Sequence, residues 1–245
     1  MELILVFIAG LITSFASNIS GGGSALILLP ILIGLGLSPI DAIGTLLVGG
    51  VGFVIGSAMS THARAIVRRD HIMPMIFIVA VSSVIGPLIS VHLSQSSVKL
   101  ISASMIIVVA IVSLLTWNAA SHSRIVKPRS RYLGYTGYFI TTILVAGFSS
   151  GISLLSNYIL IGLVGMSAIE TIATRRIAAL VGVPIQLSIF AYTGHVNLRL
   201  GLVLAISSFI GAYLGMNYAI KKGNEFVKKM MAIVAIILVF SILVN

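Results

Sequence analysis

The chain has 245 residues, of which 58% are hydrophobic and only 8% are Asp, Glu, Lys or Arg. A water-soluble domain usually carries about 25% charged residues, so this composition excludes a soluble protein and predicts an all-α integral membrane protein. The formal net charge of +10 does not indicate nucleic-acid binding, because the basic residues lie in short loops between apolar segments, where membrane orientation signals are found.

Hydropathy predicts about eight long and two short apolar segments along the chain. The long segments cover 3–19, 40–61, 72–93, 99–118, 132–148, 170–193, 200–219 and 230–244, and the short ones cover 24–35 and 153–164. A short segment of about 12 residues extends roughly 18 Å, which does not cross a hydrocarbon core of about 30 Å. We therefore expect the short segments to be re-entrant half-helices.

A run of glycines and polar residues breaks the first apolar region. Consecutive glycines cost helix stability, about 1 kcal/mol each relative to alanine, and irregular backbone is tolerated at membrane depth only where it is buried in protein or lines a cavity. The half-helix that follows would direct its free N–H groups and dipole at that cavity, which favours an anion. The candidate binding residues here are Asn18, Ser20, Gly21, Gly22, Gly23 and Ser24. The alternative is that the glycines only allow close helix packing, our interpretation of those between 49 and 56.

A second break precedes the other short segment. It has one glycine, and its candidate binding residues are Ser149, Ser150, Gly151, Ser153 and Asn157. If the two halves of the chain are inverted, the two half-helix N-termini could face one another near the membrane midplane and address one anion.

The chain contains an internal repeat. Residues 36–45 match residues 165–174 at an offset of 129, and the same offset relates Gly22 to Gly151 and Ser24 to Ser153. The predicted units are a first transmembrane repeat at 1–118, a basic cytoplasmic linker at 119–131 and a second transmembrane repeat at 132–245. Thr45 and Thr174 hold equivalent positions, where each could line the site or bond to its own backbone.

The basic residues indicate how the halves are oriented, since they gather on the cytoplasmic side. If each break were a mere kink in a spanning helix, the halves would be parallel and the basic residues would divide 8 to 7 between the two sides. If the chain reverses at each break, the division is 13 to 2. We therefore predict inverted repeats with both termini outside, an architecture that recurs in transporters with a binding site at the midplane.

The few charges within the apolar segments have simple structural interpretations. Asp41 and Glu170 each follow a serine by three residues, the pattern of a helix capping box. Arg175 and Arg176 are either anchors that extend to the cytoplasmic surface or groups that attract an oxyanion. No acid lies in the middle of a long segment, so gradient-driven movement is expected rather than a carboxylate-coupled pump. No metal-ligand spacing, catalytic set or cofactor fingerprint is found, so neither enzyme activity nor a cofactor is expected.

The residue pattern resembles that of a known family. Ser-Gly-Gly-Gly-Ser at 20–24, Pro30 and Ala-Ile-Gly-Thr at 42–45 in the first half, with Ala-Thr-Arg-Arg at 173–176 and Gly-His-Val-Asn at 194–197 in the second, are similar to the sulfite exporter TauE/SafE family of membrane proteins. The chain departs from that pattern at its second break, where Ser150-Gly151-Ile152 replaces three glycines, and at Ile159, the position equivalent to Pro30.

The resemblance implies a function and adds weight to particular residues. Members of the family are implied to move sulfite, thiosulfate or organosulfonates, and the likeness favours Thr174 and Arg176 beside Thr45 and the first break. It also implies a multi-pass protein of the bacterial inner membrane. The alternatives are a channel or carrier for another small solute such as a carboxylate, or a non-transporting membrane subunit. The expected partners are a small anionic substrate and the lipid bilayer, with no prediction of the oligomeric state.

Overall fold

The computed structural model describes residues 1–60, 66–98, 100–101, 104, 126–148 and 153–243, with side chains up to 234 in the last range. The helices are α1 (Glu2–Ser20), α2 (Ser24–Gly34), α3 (Pro39–Met59), α4 (Arg69–Val91), α5 (Pro128–Phe148), α6 (Ser153–Ile159), α7 (Ala168–Tyr192), α8 (Leu198–Lys222) and α9 (Asn224–Leu243). A π-helical turn, Leu160–Val164, continues α6. These ranges contain helices and loops and no strand.

The predicted all-α membrane fold is confirmed. Within the described ranges, α1, α3, α4, α7 and α8 are long and apolar enough to cross a membrane, and α5 and α9 have 21 and 20 residues. The predicted segment 99–118 lies almost wholly outside the described residues. Helix α5 begins at Pro128, inside the predicted linker 119–131, because proline suits the first turn of a helix.

Serine caps begin the two long helices that follow the short ones. Ser167 and Glu170 form a complete capping box at the start of α7, so that prediction is confirmed. At the start of α3 the Ser38 hydroxyl accepts from the Asp41 N–H at 3.2 Å. The Asp41 carboxylate accepts from the Ser38 hydroxyl at 2.6 Å, and its other oxygen lies 2.8 Å from Nδ1 of His195. The predicted serine cap at the start of α3 is therefore present.

Each short helix runs back toward the end of the molecule from which the preceding helix started. Leu3 and Val6, near the start of α1, pack in one apolar cluster with Leu32 and Leu35 at the end of α2. Ser130, near the start of α5, donates to the Leu163 carbonyl at the end of the π-helical turn, at 2.9 Å. The chain therefore reverses direction at each break.

Contacts near the helix ends define two opposite ends of the bundle. At the end we call the Asp41 end, Asp41 meets His195. At the end we call the Arg68 end, the Arg68 guanidinium lies 3.7 Å from the Glu170 carboxylate, and Asn224 accepts from the Ile169 N–H at 2.9 Å. Helix α1 thus starts at the Asp41 end, whereas α5 and α9 start at the Arg68 end.

The helix contacts between the two halves come in matched pairs. Helix α3 packs against α8, and α7, its counterpart in the repeat, packs against α4. Helix α1 also packs against α8, and its counterpart α5 packs against α4. Each half therefore places its fourth helix against the other half, so that 1–118 and 132–245 interlock and bury a shared core.

Glycine allows the closest of these contacts, between α3 and α8. A Cβ at Gly52 would lie 1.9 Å from the Ala205 carbonyl oxygen, and a backbone atom cannot move aside without displacing its helix. We expect Gly52→Ala to destabilise the protein by about 1–3 kcal/mol, as overpacking does, and to lower its Tm in detergent. The control is Gly34→Ala, whose Cβ would meet nothing within 4 Å. Equal Tm values for the two variants would contradict this account of the contact.

Candidate functional site

The first break meets the start of α6 in the interior of the bundle. Gly21 and Gly23 have φ angles of 77° and 108°, which glycine adopts most readily, and they turn the chain between α1 and α2. A Cβ at Gly22 would lie 2.2 Å from the Ser153 hydroxyl and 3.5 Å from the Leu154 nitrogen. The Asn157 amide donates to the Gly21 carbonyl at 2.9 Å. Helix α2 leaves this meeting point for the Asp41 end, and α6 leaves it for the Arg68 end.

A cavity of about 200 Å³ lies at this meeting point. Five of the predicted binding residues line it: Gly22, Gly23, Ser24, Ser153 and Arg176. Arg175, which the sequence analysis considered as a group that attracts an oxyanion, lines the cavity as well. The polar wall residues outside the predicted binding set are Ser14, Ser17, Thr142, Gln186 and Ser208. Its apolar wall includes Phe53 and Tyr138. Ser149, Ser150 and Gly151 lie outside the described residues.

Arg176 extends from α7 toward the first break. Its Nε donates to the side-chain amide oxygen of Asn18 at 3.0 Å, and a terminal nitrogen lies 3.5 Å from the Ser17 backbone carbonyl oxygen. Its guanidinium carbon lies 4.4 Å from the centre of the Phe53 ring. Arg176 is therefore held in the cavity wall, and the alternative of a surface anchor is wrong.

Arg175 extends toward the second break. It donates to the Ser153 carbonyl at 2.7 Å and to the Asn157 amide oxygen. Its Nε is buried and has no hydrogen-bond partner in the structure as described. The sequence analysis favoured Arg176 over Arg175, although adjacent residues on a helix project about 100° apart and can both reach one cavity.

Within the described ranges, no ion pair joins either guanidinium to a carboxylate. The five acids of the chain are Glu2, Asp41, Asp70, Glu170 and Glu225. The ion pairs found in the described ranges join Asp41 to His195, Asp70 to Arg68 and His71, and Glu170 to Arg68. Because guanidinium groups stay protonated in proteins, the cavity carries two positive charges beside the N-terminus of α2.

Some of the predicted binding residues lie behind the cavity wall. Asn18 accepts from Arg176 and uses its amide nitrogen to donate to Ser57 and to the Ala212 carbonyl, each at 2.7 Å. Asn157 holds Arg175 in the same way. Ser20 donates to the Gly22 carbonyl at 2.8 Å and so closes the turn of the first break. In this structure these side chains shape the site and do not face the cavity.

Thr45 and Thr174 have a role that the sequence did not suggest. Thr45 Oγ1 accepts from the Asn197 N–H at 2.9 Å, and Thr174 Oγ1 accepts from the Arg68 N–H at 3.1 Å. Each donor precedes the first residue of a helix, α8 or α4, that belongs to the other half. Neither threonine lines the cavity, because both are buried in contacts between the halves. Both sequence-based interpretations, site lining and bonding to the threonine's own backbone, are therefore replaced.

We expect Thr174→Val to lower stability by about 1–3 kcal/mol, because the Arg68 N–H loses its acceptor in a partly buried position. Thr136→Val is the control, since Thr136 is exposed and bonds only within α5. The measurement is the Tm of each variant in the same detergent. A Tm for Thr174→Val equal to that of the control would show that the contact contributes no stability.

No cluster of three His, Cys, Asp or Glu side chains that could hold a metal occurs within the described ranges. Gln186, although it lines the cavity, donates to Ser83 at 2.8 Å and so joins α7 to α4.

Comparisons with known proteins all point to membrane transporters. The family described as "Sulfite exporter TauE/SafE" matches residues 6–242. A "Probable membrane transporter protein ORF9" of Sinorhizobium is 26% identical over 99% of this chain and 93% of its own length. A probable membrane transporter of Haemophilus influenzae is 23% identical over 95% of this chain and 91% of its own length, and YfcA of Escherichia coli K12, also a probable membrane transporter, is 23% identical over 96% and 87%. No solved structure matches the chain. With an all-helical membrane fold and a family match over nearly its whole length, the chain belongs to the sulfite exporter TauE/SafE family of membrane transporters.

Proposed function

We propose that this transporter is a facilitator or secondary carrier for a small anion, of the class of sulfite, thiosulfate and organosulfonates, which binds in the cavity between the first break and the start of α6. The observation that carries the proposal is the pair of cavity-lining guanidiniums without a carboxylate partner, Arg175 and Arg176. A buried positive charge without a counter-ion is unfavourable, so an entering anion is stabilised.

The surroundings of the two arginines support the same ligand. Gly23 and Ser24 place the first N–H groups of α2 at the cavity, and the positive end of a helix favours a negative ligand. Ser153 adds a hydroxyl from the second break. Charge-assisted hydrogen bonds are roughly twice as strong as neutral ones. In this proposal Ser149, Ser150 and Gly151 complete the second half of the site.

We propose further that the halves act as inverted repeats that rock about this site. The contact of α3 with α8 and that of α7 with α4 would be the surfaces that exchange between the two states. The distribution of basic residues supports a cytoplasmic location for the Arg68 end, with the Asp41 end facing outward. The bacterial relatives support a location in the inner membrane.

The substrate group is supported by the family description, which names sulfite export, whereas the relatives' names specify no solute. A small carboxylate is the second candidate, because a guanidinium binds a carboxylate with the same two-pronged geometry as other oxyanions.

Flux through purified protein in liposomes tests the proposal. We expect saturable uptake of at least one of sulfite, thiosulfate, a short alkanesulfonate and a short carboxylate, with no uptake of sodium ions or glycerol above that of empty liposomes. Absence of saturable uptake for every anion would overturn the proposed function, and saturable uptake of the cation or of glycerol would point to a different solute class.

A further inference from the structure

The two cavity arginines are held by opposite halves of the chain. Arg176 is anchored on α1, through Asn18 and the Ser17 carbonyl. Arg175 is anchored on α6, through Ser153 and Asn157. Consecutive residues of α7 therefore place one positive charge on each side of a single cavity.

The groups that hold the two arginines are neutral. The Asn18 and Asn157 amide oxygens accept from the guanidiniums, and the amide nitrogens are themselves fixed, Asn18 by Ser57 and Ala212 and Asn157 by Gly21. An aspartate could supply the same acceptor geometry but would cancel one charge. An asparagine orients each arginine while leaving its charge in place, so the cavity keeps a charge of about +2.

A monovalent anion would neutralise only half of this charge. Each uncompensated ion in a protein interior costs several kcal/mol, so the second charge stays unfavourable until a second negative charge enters. We infer that the site selects a divalent small anion, with two negative charges on one group or on two groups of one small molecule, over monovalent anions of the same size. This inference rests on the proposed function and specifies the charge of the anion that the site prefers.

Thiosulfate and methanesulfonate form a matched pair of probes. Both consist of an SO₃ group with one further substituent, and they differ chiefly in charge, −2 against −1. We expect the uptake of radiolabelled thiosulfate, with the membrane potential clamped at zero, to have a KM at least about 10-fold lower than that of methanesulfonate, since the second negative charge adds a charge-assisted contact and such contacts are stronger than neutral ones. Malonate against propionate provides a second pair with a different anionic group.

Variants connect this preference to the two arginines. Arg175→Gln and Arg176→Gln, each leaving one cavity charge, should reduce the ratio of the two KM values to within about 2-fold, because one charge matches a monoanion. Arg199→Gln is the control, since Arg199 is exposed near the start of α8, and it should keep the wild-type ratio. A monodisperse gel-filtration profile shows that each variant is folded.

The outcomes separate the two proposals. If no anion is taken up, the proposed function fails. If the wild type takes up thiosulfate and methanesulfonate with equal KM, the divalent preference is wrong while anion transport stands. If the preference exists but persists in both arginine variants, the two guanidiniums are not its cause and the inference is overturned.

Discussion

We expect Gly22→Leu to reduce anion uptake to the level of protein-free liposomes while the protein still inserts and stays monodisperse. Gly22 is buried where the first break touches the start of α6, and a Cβ there would already lie 2.2 Å from the Ser153 hydroxyl and 3.2 Å from the Ser153 Cβ. The remaining atoms of a leucine side chain would separate the breaks or enter the cavity. Either outcome removes the geometry in which α2, Ser153 and the two arginines can contact the same ligand. Initial uptake rates, normalised to reconstituted protein, measure the effect.

Gly34→Leu is the matched control for this variant. Gly34 is the last residue of the same helix, it is exposed, and a Cβ there would meet nothing within 4 Å. Its uptake should equal that of the wild type. If Gly22→Leu also transports at the wild-type rate, the first break has no role in binding and close helix packing is the better explanation of its glycines.

The double substitution of Arg175→Gln with Arg176→Gln should lower anion uptake by at least about 100-fold, since each charged hydrogen-bonding group contributes about 1.5–3 kcal/mol. Glutamine keeps a side chain that can donate hydrogen bonds at each position, but it carries no charge. The loss of uptake therefore reports on charge more than on side-chain volume. The measurement is kcat/KM for the preferred anion in liposomes.

Lys221→Gln with Lys222→Gln is the control for the double substitution. It also removes two consecutive positive charges, but at the exposed end of α8, remote from the cavity. It should leave kcat/KM within about 2-fold of the wild type, because charges in water are screened beyond about 10 Å. A double arginine variant that transports as well as this control would contradict an electrostatic binding site.

Local sequence signals predicted most of the helical framework. The first short helix was predicted at 24–35 and is observed at Ser24–Gly34; the second, predicted at 153–164, matches α6 with its π-helical turn. These features depend on apolar length, glycine and capping serines, which act within a few residues. The π-helical geometry itself had no local signal.

The partners of the site residues could not be predicted in the same way. Thr45 meets Asn197 and Thr174 meets Arg68, contacts between residues far apart in sequence that exist only because each half packs its fourth helix on the other. Likewise, nothing near Asn18 in the chain indicates that it holds Arg176. The repeat suggested that equivalent residues would have equivalent roles. It did not indicate which helices of one half would pack against the other half.

The central claim is that the cavity between the breaks has a positive potential that attracts anions. Because the chain has no cysteine, one thiol can be placed there by Ser24→Cys, on the cavity wall, and another at the exposed Ser96 as a reference. The decisive quantity is the rate of modification by an anionic sulfonatoethyl methanethiosulfonate relative to a cationic trimethylammonioethyl one. We predict that this ratio is at least about 10-fold higher at position 24 than at position 96, as expected for field focusing in a cleft of one charge sign. A ratio at position 24 equal to or below the reference would contradict the account.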